Sequence, residues 1–155
     1  MSFFFFTHTG TFPNLKLEEM NDTLHRDLHQ RFYQNLGRLF YAIAAVDGVI
    51  KKEEIDALKK IVREEWLDLD EYTDSFGTDA AFQIEIIFDW LDANKPDPQN
   101  AFQTFMDFHA DHKELFTPQI NEKILAASQN IAAAFRGKNK SELVMLAKLQ
   151  SLLKK

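Results

Sequence analysis

Apolar residues recur at spacings of three and four along most of the chain, and no segment alternates them with period two. Leu24, Leu28, Phe32, Leu36, Leu39, Phe40, Ile43 and Val46 form the longest series. It predicts one long amphipathic helix, or two helices broken near Gly37. Ile55, Leu58, Ile61 and Val62 repeat the pattern from Lys51 to about Trp66. Asp79 can cap a third helix with Phe82, Ile86, Ile87, Trp90 and Leu91 on its apolar face, ending before Lys95-Pro96. Phe102, Phe105, Met106 and His109 follow. Thr117-Pro118 reads as an N-cap and a first-turn proline, opening a helix through Ile124, Leu125, Ile131 and Ala134. Ser141 is expected to cap the last helix, which carries Leu143, Leu146, Leu149 and Leu153. The predicted fold is all-α, a single compact domain of about six or seven helices over residues 13–155. Residues 1–12 are set apart as a Phe-rich arm.

Composition narrows the functional classes. The chain has 155 residues, enough for one domain with a substantial core and short for two. A formal net charge of −6 argues against nucleic acid and anionic membrane as partners, since both would repel it. The sequence has no cysteine, which removes disulfides, thiolate nucleophiles and Cys-ligated zinc. No apolar run approaches the roughly 20 residues a membrane-spanning helix needs. The N-terminal MSFFFFTHTG lacks the basic region and cleavage site of a signal peptide, so a cytoplasmic location is expected. Phe3 to Phe6 and Phe12 make that arm sticky. They are expected to dock into a groove of their own domain, with arm-mediated homodimerisation or insertion into a membrane interface as the alternatives.

Positions 43 to 54, IAAVDGVIKKEE, carry the most informative local pattern. Gly48, Ile50 and Glu54 match the back half of a calcium loop, with Asp47 in its fifth place. The first and third positions would be Ile43 and Ala45, which have no oxygen ligand, so an EF-hand is excluded. A helix stop at Gly48 and a helix start at Glu53-Glu54 explain the spacing instead. The same layout recurs imperfectly near the C-terminus. Ala133, Ala134, Arg136 and Gly137 stand where Ala44, Ala45, Asp47 and Gly48 stand, and Glu142 answers to Glu54. The chain therefore reads as a helical hairpin used twice.

These two stretches, AAVDGVIKKEE and AAFRGKNKSE, resemble the signature of the TerB-like family, named for a tellurite-resistance protein. The likeness covers Leu39 to Val62 well and Ile131 to Leu153 more loosely. It implies an all-helical pseudo-repeat without enzymatic activity. It also implies a divalent ion, Mg²⁺ or Ca²⁺, held by acids at the positions of Asp47, Glu54 and Glu142, with Glu53 near enough to contribute. Arg136 departs from that pattern, because it stands where a symmetric second copy would place an acid. It can pair with an acidic group across the repeat and supply by ion pairing what a metal would supply.

Other constellations are weaker. His25 and His29 lie four apart with Asp22 a turn earlier, and His109 and His112 sit among Asp107 and Asp111. Neither group shows a complete zinc ligand set. The acidic run from Glu64 to Asp74 fits a solvated helix end or a docking surface for a basic partner. The expectation is a non-enzymatic module of a stress or tellurite-resistance system that binds a divalent ion or a protein partner through acidic residues. A metal-free interaction or assembly domain is the alternative, and a metal-dependent hydrolase on the same acids comes third. Soft tellurium chemistry calls for thiolates, so a chain without cysteine is not expected to reduce tellurite itself.

Overall fold

Two short dipeptides set the start of two helices. Asp97 accepts the Asn100 backbone N–H on its carboxylate at 3.2 Å, and Pro98 takes the first helical position, where a missing N–H costs nothing. Thr117 does the same through its hydroxyl, which accepts from the Ile120 N–H at 3.2 Å ahead of Pro118. In the computed structural model, six helices follow one another among the described residues: α1 (Leu17–Ala45), α2 (Lys52–Trp66), α3 (Asp74–Asn94), α4 (Pro98–Asp111), α5 (Pro118–Ala134) and α6 (Lys140–Leu153). A single 3₁₀ turn, Lys113–Leu115, joins α4 to α5. The structure describes residues 17–46, 48, 50–66, 74–134 and 140–154, and side chains within 27–46, 48, 50–64, 82–134 and 140–154. The Phe-rich arm, Asp47, Arg136 and Gly137 lie outside the described residues.

Successive helices reverse direction. Lys59 bridges Asp89 at 2.7 Å and Arg63 bridges Glu85 at 2.7 Å, so α2 and α3 run antiparallel. Near one end Phe32 of α1 lies 6.5 Å from Phe108 of α4, between ring centroids. At the other, Tyr41 donates to the Pro96 carbonyl at 3.4 Å, just before α4 begins. α1 and α4 are thus antiparallel as well. The Asn121 side chain, near the start of α5, donates to the Leu153 carbonyl at the end of α6 at 3.0 Å. The result is an up-and-down bundle, with the Gly48 turn at its upper end and the α4–α5 connection at its lower end.

α1 is the central element and packs against α3, α4 and α5. Leu36, Leu39, Phe40 and Ile43 have no exposed surface, and each contributes roughly 1.5–3 kcal/mol by leaving water. Phe105 and Phe116 close the core edge to face, with centroids 5.9 Å apart. The helix does not break at Gly37. A Cβ there would fall on the Cγ2 of Ile87 and stand 3.3 Å from the Ile84 carbonyl oxygen, so the glycine is where α1 and α3 touch.

α3 begins at Asp74, which puts Asp79 inside the helix and not at its cap. Its buried face is Ile84, Phe88 and Leu91, while Phe82, Ile86 and Trp90 are 56%, 59% and 55% exposed. α6 begins at Lys140, so Ser141 is in its first turn, and Met145 is buried where Leu143 was expected. The two halves of the pseudo-repeat also pack differently. α5 and α6 lie against each other, whereas α2 packs on α3 and α5.

Candidate functional site

The turn at Gly48, between α1 and α2, is built for chain reversal. Gly48 has φ of +150°, a conformation that side-chain-bearing residues rarely adopt, although a Cβ there would meet nothing within 4 Å. Its N–H donates to the Ala45 carbonyl at 3.1 Å, closing α1. Three residues later the Lys51 N–H donates to Glu54 Oε1 at 2.7 Å. Glu54 is the third residue of α2, so this is the reciprocal arm of a capping box: a carboxylate reaching back to an orphan amide at the helix start. Glu53 is exposed in the same turn. Glu142 occupies the first turn of α6 and is buried. Glu53, Glu54 and Glu142 are therefore placed at helix N-termini, where the dipole favours negative charge.

Among the described residues, no group of three or more His, Asp or Glu side chains is arranged to hold a metal ion. Glu54 fits a ligand role poorly, since one of its oxygens already serves the backbone. Beside the turn, Tyr41, Asp92 and Lys95 border a shallow depression of about 320 Å³. Burial, and then the charge of Asp92, push the Tyr41 hydroxyl above its ordinary pKa.

The larger concavity lies at the opposite, lower end. A cleft of about 740 Å³ opens between the end of α4, the start of α5 and the last residues of α6. Its volume falls in the range of small-molecule sites. Phe116, Pro118, Leu125, Leu152 and Leu153 give it an apolar lining, and Lys113, Glu122 and Lys154 stand around it. His109 is the polar group at its buried side, 8% exposed, with its ring 4.5 Å from that of Phe116. Burial, and then the positive charge of Lys113, hold its pKa below the ordinary histidine value. The spacing of His109 with His112 marks it in the sequence as a metal candidate. In the fold the two part company: His112 lies 3.8 Å from the Glu114 carboxylate, through Nδ1.

The third feature is an exposed apolar stripe. At 100° per residue, Phe82, Ile86, Trp90 and Ala93 fall on the side of α3 opposite Ile84, Phe88 and Leu91. Asp89, its side chain 63% exposed, borders the stripe while bridging to Lys59. Sequence reasoning took part of this stripe for core, because both faces of α3 repeat at helical spacing.

No protein-family model matches the chain, and no curated protein or solved structure matches it.

Proposed function

We propose that this chain is a non-enzymatic interaction module that docks a basic amphipathic helix of a protein partner on the outer face of α3. The exposed line of Phe82, Ile86 and Trp90 carries the reading. Large apolar side chains aligned on one outward helix face are the usual mark of a protein contact, and an aromatic anchor supplies much of the energy of such contacts. The net charge of −6 selects a basic partner over an acidic one.

The TerB-like resemblance belongs to the same proposal, and with it a tellurite- or stress-response setting. The Gly48 turn and the Glu54 cap support it as local geometry. The reading in which Asp47, Glu53, Glu54 and Glu142 hold Mg²⁺ or Ca²⁺ has less support. Glu54 caps its own helix, and Glu142, in the first turn of α6, is buried.

The test uses a Trp66→Phe background, so that Trp90 alone reports. A cationic Lys/Leu amphipathic helical peptide is expected to bind and move the Trp90 emission to the blue. Phe82→Ser with Ile86→Ser should abolish that binding while shifting stability by no more than about 0.5 kcal/mol per site, as for most surface changes. Equal binding by the variant, or none by the parent, would sink the proposal.

A further inference from the structure

Among the described residues, large hydrophobic side chains stand out to solvent on two helices. They are Phe82, Ile86 and Trp90 on α3, and Leu143 and Val144 on α6. Single exposed apolar residues are ordinary, but here each group shares one helix face. At 100° per residue, Val144 and Ala147 fall opposite Met145, Leu149 and Leu153, the buried row of α6. A shallow depression of about 470 Å³ opens beside them, between Met106 of α4 and Val144, Ala147 and Leu152 of α6. The α3 face presents large side chains, and the α6 face presents a recess.

The charges on the two helices are opposite in sign. α3 carries acids along its whole length and no basic residue. Asp89 keeps 63% of its side chain exposed while bridging to Lys59, and Asp92 bridges to Lys95 at 3.4 Å. Such exposed bridges contribute little and do not hold either carboxylate from another cation. α6 shows the reverse. Lys140 and Lys148 are exposed on it and Lys154 follows, while Glu142, its one acid, is buried. Opposite charge around two apolar faces steers encounter and fixes which face meets which. The outer face of α6 therefore has the make-up of the basic amphipathic helix that α3 suits.

We propose that the helix received by α3 is α6 of a second copy of this chain. The aromatic side chains of the stripe enter the recess beside Ala147, and the lysines of α6 lie around the acids of α3. One copy offers α3 and the other α6, so the contact joins two different surfaces. The inference rests on the docking reading of α3 and supplies its partner.

Sedimentation velocity of the untagged full chain at rising concentration is expected to show complexes of two or more copies. Phe82→Ser with Ile86→Ser on α3 should leave single copies, and so should Val144→Ser with Lys148→Glu on α6. Helicity by circular dichroism should be unchanged in both, since all four side chains are exposed. Mixed in equal amounts, the two variants should regain a complex of two copies and no larger one. One then supplies only α6 and the other only α3, a result that unfolded variants could not give. Raising salt from about 0.05 M to about 0.5 M should weaken the parent's association severalfold, as exposed charges are screened. A parent that remains single while binding the cationic peptide overturns this inference and leaves the docking reading standing. A parent that does neither overturns both. Association by either variant alone overturns the inference in favour of another segment, such as the Phe-rich arm. A mixture of variants that stays as single copies, or an association indifferent to salt, also overturns it.

Discussion

At the scale of single residues, Glu54 shows how a functional-looking side chain can have a structural role, and His109 how burial sets the charge of one. The capping assignment predicts an asymmetry between two substitutions. Glu54→Gln keeps an acceptor for the Lys51 N–H, whereas Glu54→Ala leaves that amide without one. Glu54→Ala should lower stability by about 1 kcal/mol in chemical denaturation, and Glu54→Gln by less than half as much. A metal ligand would behave otherwise. A rise in thermal midpoint with Ca²⁺ or Mg²⁺ in the parent, lost in both variants, would move Glu54 to a metal role. For His109 the sign follows from its lowered pKa. The folded chain holds the imidazole neutral, while the unfolded chain takes up a proton as pH falls through about 6.5. Its contribution is complete above that pH and is lost progressively as pH drops toward the folded-state value. Thermal melts between about pH 7.5 and pH 5.5 should show a steeper loss for the parent than for His109→Gln, which cannot gain the charge. Lys113 is the charged neighbour that acts on this imidazole, and Lys113→Ala should make the slope shallower.

At the scale of elements, the helices themselves were legible and their orientation about their own axes was less so. Thr117-Pro118 announces α5 because cap and proline act locally, within one turn. The series from Leu24 to Val46 announces α1 because one face dominates it. α3 is different. Ile84, Phe88 and Leu91 share the helix with Phe82, Ile86 and Trp90, and both rows have helical spacing. Periodicity alone cannot choose between two apolar faces; a neighbouring helix does. Gly37 makes that choice, since its missing side chain admits Ile87 and the Ile84 carbonyl, and that contact faces the Ile84 row inward. The sequence marks Gly37 as a break because glycine weakens a helix by about 1 kcal/mol relative to alanine. What repays it is a contact between helices that are distant along the chain. Gly37→Val should therefore destabilise by about 1–3 kcal/mol through overpacking. Combining it with Ile87→Ala should recover part of that loss, as read by a double-mutant cycle in urea. Full additivity would place the crossing elsewhere.

At the scale of the whole molecule, an all-α bundle was expected and is found, with six helices among the described residues and none long and apolar enough to cross a membrane. The alternation of direction was only half legible. Short polar links imply antiparallel neighbours, but nothing local says that α2 packs on α3 and α5. The lower cleft was not legible at all. Its walls come from α4, α5 and the end of α6, which stand side by side only in the fold. The six described helices make an even number of strokes. α1 enters and α6 leaves at the same end, and Lys154 stands on the rim of the cleft. A fluorophore attached through Lys154 crowds that opening, whereas one carried at the Gly48 turn projects from the far side and leaves it clear.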